Sequence, residues 1–185
     1  ADTVENARRL LAGELKGIAF NVEVPESHRV GGNANQLCQV MVNLIQNSAQ
    51  ALEGARERGI EPWITVSSTR SGEDYVEIKV QDNGPGIAAE DLDHVFDPFF
   101  TKKEVGAGMG LGLSICHRII ESHNGRIEVE SDPGRPTVFR VIIPQPRQGE
   151  MDTGEPDLSA ARPEEESLLH EAEVDTADLQ QAWEK

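Results

Sequence analysis

A glycine-rich segment at residues 108–113 has the composition of a phosphate-binding loop. It reads Gly-Met-Gly-Leu-Gly-Leu, and without side chains the glycine backbone can approach a ligand closely. Leu111, Ile115 and Ile119 then recur at helical spacing, which places the glycines at or just before a helix N-terminus. Free N–H groups and the helix dipole favour an anion there. Taken alone, such a segment is more often a plain turn.

A row of carboxamides marks a second candidate element, a helix predicted over residues 33–52. Asn33 can cap this helix, and Asn43, Asn47 and Gln50 lie at helical spacing beside its apolar face. A buried amide needs hydrogen-bond partners, so the row is either a solvated edge or a surface that faces a ligand. The apolar face comprises Leu37, Val40, Met41, Leu44, Ile45 and Leu52.

An aspartate followed by two glycines, Asp82, Gly84 and Gly86, ends a predicted strand. Its carboxylate could accept a hydrogen bond from an adenine amino group. Mg²⁺ takes few protein ligands and keeps several waters, and one amide oxygen of the helix could serve it. Read separately, the aspartate is more often a turn residue, the amide a surface group, and Lys102 and Lys103 solvated charges. Their order along the chain favours a nucleotide site.

The elements that would position these residues form an α+β layer, with helices on one face of a mainly antiparallel sheet. Two hairpins are expected, and the first has a loop of four to five residues within 70–74. Residues 28–30 are a candidate for a short additional strand. Strands are predicted at 18–24, 63–67, 75–80, 125–130 and 137–143, and helices at 3–15, 33–52, 88–95 and from about 110.

Charge and cysteine content narrow the function classes. The net charge is −16 over 185 residues, which argues against non-specific nucleic-acid binding. The last 41 residues hold 12 acidic and 3 basic residues, so a largely disordered acidic tail or linker is expected over 146–185. Cys38 and Cys116 are expected to be reduced, buried thiols of a cytoplasmic protein. No run is long enough to span a membrane, and the chain is expected to be a fragment.

Four segments together resemble a known family. Residues 44–49 (LIQNSA) look like the N box of the sensor histidine kinases, and residues 82–86 (DNGPG) look like their G1 box. Residues 96–103 (FDPFFTKK) resemble the F box, and 108–113 (GMGLGL) the G2 box. The resemblance covers about 10–144 and is strongest to the nitrogen-regulation-like and dicarboxylate-sensor-like kinases. It implies the Bergerat ATP-binding fold, an α/β sandwich of about five strands and three helices with a mobile lid, shared with the gyrase, Hsp90 and MutL ATPases.

The resemblance also assigns roles. Asn47 would coordinate Mg²⁺ with support from Asn43, and Asp82 would bind the adenine amino group. Phe96 and Phe99 would anchor the lid at 97–108. Lys103 would approach the phosphates and, with Asn47, serve catalysis. The complete set implied to bind ATP is Asn43, Asn47, Asp82, Gly84, Gly86, Ile87, Phe99, Thr101, Lys102, Lys103, Gly108, Met109, Gly110, Leu111, Gly112, Leu113 and Thr137.

Some positions depart from the family pattern. Met109 and Lys102 each stand where many members carry Thr, and Asn43 stands where the gyrase-like ATPases carry a water-activating Glu. The last difference favours phosphoryl transfer over hydrolysis, although an ATP-hydrolysing or partner-docking module remains the alternative.

Residues 1–15 would be the end of a connecting helix and 16–145 the ATP-binding domain. His170, followed by Glu171, matches the family's phosphoacceptor only superficially, because it lies in the acidic tail after the catalytic domain. The phosphoacceptor is therefore expected on a dimerisation domain outside this chain. The partners implied are that domain, a response regulator and a second copy of the full-length protein, with no membrane contact by this part.

Overall fold

A computed structural model describes residues 2–102 and 109–146. The predicted tail beyond residue 146 and the central part of the predicted lid therefore lie outside the described residues. The strands are β1 (Ala19–Glu23), β2 (Trp63–Ser71), β3 (Tyr75–Asp82), β4 (Arg126–Glu130) and β5 (Thr137–Pro144). The helices are α1 (Asp2–Leu10), α2 (Ala34–Ala51), α3 (Ala89–Leu92) and α4 (Gly112–Ser122), with a 3-10 turn at Arg56–Arg58.

The five strands form one mixed sheet in the order β1-β2-β3-β5-β4. β1 pairs parallel to β2, and all other pairs are antiparallel. In the centre of the sheet, Asp82 at the end of β3 lies opposite Ile64 of β2 and Thr137 of β5. The register therefore brings the end of the first hairpin and the start of the last strand together at one end of the central strands.

One face of the sheet is apolar and covered by helices. Buried side chains alternate along the central strands, as in Ile64, Val66 and Val80, which is typical of a sheet with one solvated face. They join buried residues of α1, α2 and α4 in a single core cluster. The opposite face carries charges, among them Arg140, which pairs with Glu77 and Glu130. The predicted α+β architecture is confirmed.

Local sequence explains where the two long helices begin. The side chain of Asn33 accepts hydrogen bonds from the backbone N–H groups of Asn35 and Gln36, which caps α2 as predicted. α4 begins at Gly112 after Leu111, which offers no side-chain cap. The N-terminal N–H groups of α4 thus have no side-chain acceptor at the cap position, as a site for an anion requires.

Four local predictions are corrected. Residues 28–30 are not a strand, because the N–H of His28 donates to the carbonyl of Pro25 in a turn. β2 continues to Ser71, which pairs with Tyr75 and shortens the hairpin loop from the expected four to five residues to three. The short helix predicted over 88–95 spans only Ala89–Leu92, and the first helix ends at Leu10 and is followed by turns.

Among the helices of the described residues, none has both the length and the hydrophobicity that a membrane span requires.

Candidate functional site

Asp82 is a buried carboxylate at the end of β3. It is 2% exposed, and each of its oxygens has one donor. Ser48 of α2 donates its hydroxyl proton to Oδ2 at 2.7 Å, and the backbone N–H of Gly84 donates to Oδ1 at 2.9 Å. Burial raises the pKa of Asp82, and the hydrogen bonds from Ser48 and Gly84 oppose that rise. Asp82 is therefore a hydrogen-bond acceptor held in a fixed position where the central strand β3 ends.

A second group of polar atoms lies on the neighbouring strand. Thr137 is buried at the start of β5, opposite Asp82 in the register. Its hydroxyl lies 2.9 Å from that of Ser131, which also accepts a hydrogen bond from the N–H of Ile87 at 2.9 Å. Ser131 therefore ties the loop that follows Asp82 to the turn between β4 and β5.

The glycines of this loop are required by close packing. Gly86 has φ +80°, and a Cβ there would lie 2.0 Å from the carbonyl oxygen of Asp132. At Gly84 a Cβ would lie 2.8 Å from Oδ1 of Asp82 and 3.2 Å from the Cβ of Ala51. Since real Cβ atoms do not approach backbone this closely, only glycine at position 86 lets the loop lie against 132–135.

Helix α2 links the surroundings of Asp82 to the N-terminus of α4. The side-chain amide of Asn43 donates to the carbonyl oxygen of Gly112, the first residue of α4, at 3.3 Å. Asn47 lies one turn further along α2, about 6 Å from Asn43 along the helix axis, and directly before Ser48. Its side chain is half-buried and makes no hydrogen bond to another described residue. Along α2, Asn47 thus lies between Asn43, which contacts the start of α4, and Ser48, which contacts Asp82.

The glycine-rich segment forms the start of α4. Gly110 has φ +66°, and a Cβ there would lie 2.5 Å from the backbone of Phe99. The N–H of Phe99 donates to the carbonyl of Gly110 at 3.0 Å, so the two ends of the predicted lid are joined. Leu111 and Leu113 are half-buried, whereas Met109 is 76% exposed. Backbone N–H groups, rather than these side chains, are what the segment can offer to an anion.

The F-box residues take different positions. Phe96 packs against His117 of α4, with ring centroids 5.6 Å apart. Phe99 is 73% exposed and has φ +68°, and Thr101 is also exposed. Nζ of Lys102 lies 2.5 Å from Oδ2 of the nearly buried Asp91, which raises the pKa of Lys102. In this conformation the Lys102 ammonium group is engaged in an ion pair with Asp91.

The structure thus brings together most of the predicted site residues within the described part of the chain. One group surrounds Asp82 and a second surrounds the start of α4, with Asn47 between them. Lys103 and Gly108 lie outside the described residues. Sequence reasoning assigned no role to Ser48, Ser131 and Asp91. Ser48 directly follows Asn47 and could have been noticed for that reason, whereas no local pattern marks the other two.

The arrangement suits a ligand that combines a hydrogen-bond donor at one end with negative charge at the other. Asp82 supplies a fixed acceptor beside a partly exposed loop, and the N-terminus of α4 supplies donors and a partial positive charge. Among the residues that the structure describes, no group of three or more His, Cys, Asp or Glu side chains could hold a metal ion. The amide of Asn47 makes no hydrogen bond to another described residue, so its oxygen is a candidate ligand between the two ends.

Comparison with known proteins points to one family. A model of the family described as histidine kinase-, DNA gyrase B-, and HSP90-like ATPases matches residues 32–147. The sensory histidine kinase/phosphatase NtrB of Rhizobium leguminosarum bv. phaseoli is 38% identical over 74% of this chain and 38% of its own length. The C4-dicarboxylate transport sensor protein DctB of Rhizobium meliloti is 36% identical over 77% of this chain and 22% of its own length. The chain therefore spans well under half the length of these relatives.

Solved structures give the same result at the level of the fold. The catalytic domain of histidine kinase ThkA superposes with a TM-score of 0.66 at 32% identity, covering 78% of this chain and 92% of that domain. The mycobacterial sensor histidine kinase MprB superposes with a TM-score of 0.67 at 22% identity, covering 78% of this chain and 95% of that one, which supports the fold alone. These matches confirm the predicted fold class and the resemblance on which it was based.

Proposed function

Because the chain belongs to the family of histidine kinase-, DNA gyrase B- and HSP90-like ATPases, we propose that it binds Mg²⁺–ATP as the catalytic domain of a sensor histidine kinase. In this role it transfers the γ-phosphate to a histidine on a separate dimerisation domain. The relatives NtrB and ThkA are named as histidine kinases, and the four sequence boxes follow that pattern.

One observation carries this proposal, namely the placement of Asp82 and the start of α4 along a single helix. Ser48 fixes Asp82 at one level of α2, and Asn43 fixes Gly112 just over one turn earlier. A nucleotide with its base at Asp82 would extend its phosphates towards α4. Gly84 and Gly86 would let the loop pack closely beside Asp82 at the end that receives the base. Thr137 and Ile87 would line that end, and Gly110, Leu111, Gly112 and Leu113 would present backbone donors.

The residues present fit a magnesium nucleotide. The side-chain amide of Asn47 is half-buried and makes no hydrogen bond to another described residue. In nucleotide sites, Mg²⁺ commonly takes one or two protein ligands together with waters and phosphate oxygens. When bound, the ion would neutralise charge that develops on the transferred phosphoryl group. Lys103 would supply a cation beside the phosphates. Lys102 is a weaker candidate for that role because it is engaged by Asp91.

The contact of Asn43 favours phosphoryl transfer over hydrolysis. A carboxamide cannot act as a general base towards water, and here it donates to the carbonyl of Gly112. In the gyrase-like members the matching position carries a Glu that activates water. Phosphoryl transfer needs positioning and charge stabilisation more than covalent participation by the protein, and the residues around α2 and α4 supply positioning.

The further parts of the proposal concern the whole protein. Residues 16–145 would form the ATP-binding domain and residues 1–15 the end of a helix that leads to the dimerisation domain. A response regulator would receive the phosphoryl group, and the full-length protein would work as a homodimer. Since ATP is a cytoplasmic metabolite, this domain would act in the cytoplasm.

Phosphotransfer in trans tests the proposal. The isolated chain should bind ATP but incorporate little labelled phosphate by itself. Adding the matching dimerisation domain should give acid-labile, base-stable labelling of that domain, and the same domain with its acceptor histidine replaced by glutamine should remain unlabelled. Strong labelling of the isolated chain, or ATP hydrolysis unaffected by the added domain, would contradict the assignment.

A further inference from the structure

We propose that Ser48 determines base specificity at this site, by holding Asp82 as an acceptor that accepts adenine and rejects guanine. This inference rests on the proposed function, because it names the residue that tunes the same nucleotide pocket. Ser48 acts through Asp82 and is therefore a positioning residue rather than a group that touches the substrate.

The geometry singles out Ser48 among the hydroxyl groups of the site. It is 1% exposed, and its Oγ lies 2.7 Å from Oδ2 of Asp82, a distance typical of hydrogen bonds to an ionised acceptor. The hydroxyl has one proton, and this contact uses it. Thr137 lies opposite in the register, but its hydroxyl is engaged with Ser131. Ser48 is therefore the side chain that orients the carboxylate.

The charge of Asp82 depends on very few groups. Ser48 faces it from α2, the N–H of Gly84 from the following loop, and Ile64 and Thr137 from the adjacent strands. No ion pair joins Asp82 to any described residue that is positively charged. Burial raises the pKa of this carboxyl and the two donors counteract the rise. Loss of the Ser48 hydroxyl removes one of the two hydrogen bonds that described residues donate to Asp82.

The protonation state of Asp82 decides which base edge it can bind. An ionised carboxylate only accepts hydrogen bonds, so it matches the amino group of adenine and repels the carbonyl oxygen at the same position of guanine. A protonated carboxyl replaces one acceptor position by a donor, so it binds the adenine amino group less well and no longer repels the guanine carbonyl. Ser48 thus contributes to selectivity by keeping the acceptor-only form populated.

The test compares the wild-type chain with Ser48→Ala and Ser48→Cys. Binding of ADP and GDP is measured by calorimetry without Mg²⁺ between pH 5 and 8. We expect Ser48→Ala to weaken ADP binding by roughly tenfold, to narrow the preference for ADP over GDP, and to move the acidic loss of ADP affinity to higher pH. Because a thiol is a weak donor, Ser48→Cys should fall between the two. The titration of the phosphates is common to all three proteins.

Ser122→Ala is the matched control, since Ser122 also donates its hydroxyl to an oxygen, that of Ile119, but near the far end of α4. It should bind both nucleotides as the wild type does. A merely structural role of Ser48 would lower the melting temperature without moving the pH profile or the ratio of ADP to GDP affinity, and that result would overturn the inference. The proposed function would survive in that case, whereas a wild-type chain that binds neither nucleotide would overturn both.

Discussion

The side-chain amide of Asn43 donates a hydrogen bond to the carbonyl oxygen of Gly112, 69 residues further along the chain. This contact joins the middle of α2 to the first residue of α4. It lies beside Cys116, whose thiol is buried and has a pKa raised to about 11 by that burial. The contact therefore joins α2, which also carries the candidate Mg²⁺ ligand Asn47, and the candidate phosphate-binding backbone of α4 into one packed unit.

Replacing Asn43 by Ala should loosen this unit. The loss of one part-buried hydrogen bond costs about 1 kcal/mol, which corresponds to a few degrees in melting temperature for a domain of this size. ATP affinity should fall together with stability, because the start of α4 is no longer fixed to α2. Gln46→Ala is the control, since the Gln46 side chain of α2 donates its hydrogen bond to the exposed Glu14, away from α4. An Asn43→Ala protein with unchanged stability and affinity would show that this contact positions nothing.

The packing of Gly86 can be tested separately from its backbone conformation. Gly86→Ala combines a strained φ of +80° with a Cβ 2.0 Å from the carbonyl oxygen of Asp132, so it should destabilise the domain and abolish ATP binding. Gly72→Ala has the same strain, with φ +70°, but no atom within 4 Å of the new Cβ. It should cost only about 1 to 2 kcal/mol and leave binding intact. Equal effects of the two substitutions on ATP binding would refute the close-packing argument.

Asp82 should reduce the stability of the domain at neutral pH. Its pKa is raised in the folded state, so folding favours the protonated form, and the stabilising contribution is present at low pH and lost as pH rises through the folded pKa. Asp82→Asn should therefore be at least as stable as the wild type at pH 7, and its advantage should shrink towards pH 4. Thermal melting of both proteins across this range measures the difference. A wild-type advantage that grows on acidification would contradict the assigned direction.

The same substitution should separate stability from function. Asparagine keeps the size of Asp82 but replaces one acceptor oxygen by a donor, so ATP binding should be lost although the fold is retained. A site that binds ligand at the expense of stability is common in proteins. Retention of full ATP affinity by Asp82→Asn would mean that this carboxylate does not read the base.

Lys102 and Lys103 should differ in their effect on ATP binding. Lys102 contacts Asp91, and because the lysine side chain is largely exposed the pair contributes little to stability. Lys102→Ala and Asp91→Ala should therefore have similar, small effects on ATP affinity, whereas Lys103→Ala should weaken it clearly. Calorimetric titration of the three variants decides the matter. A large effect of Lys102→Ala that Asp91→Ala does not reproduce would place Lys102 on the phosphates instead.

Patterns local in the sequence predicted the elements that carry the site. The spacing of Leu111, Ile115 and Ile119 located α4, and the capping side chain of Asn33 located the start of α2. Both signals arise within one or two helical turns, so they can be read without knowledge of the fold. The resemblance to the kinase boxes then supplied the fold class, but it did not predict the strand order β1-β2-β3-β5-β4.

Contacts between distant segments could not be predicted in the same way. The bond from Ser48 to Asp82 spans 34 residues, and that from His28 to Ser68 spans 40. Ser68 also explains why β2 was predicted too short. A buried serine interrupts the apolar alternation, but its hydroxyl lies 2.8 Å from Nδ1 of His28, so the strand continues through residues that resemble a turn.

Magnesium-dependent ATP binding tests the central claim most directly. Calorimetry with and without Mg²⁺ should show tight, metal-dependent binding by the wild-type chain, no binding by Asp82→Ala, and binding that no longer depends on Mg²⁺ in Asn47→Ala. Gln46→Ala, one position before Asn47 on α2, should behave as the wild type. Unchanged affinity and unchanged metal dependence in both site variants would contradict the assignment of base and metal recognition to Asp82 and Asn47.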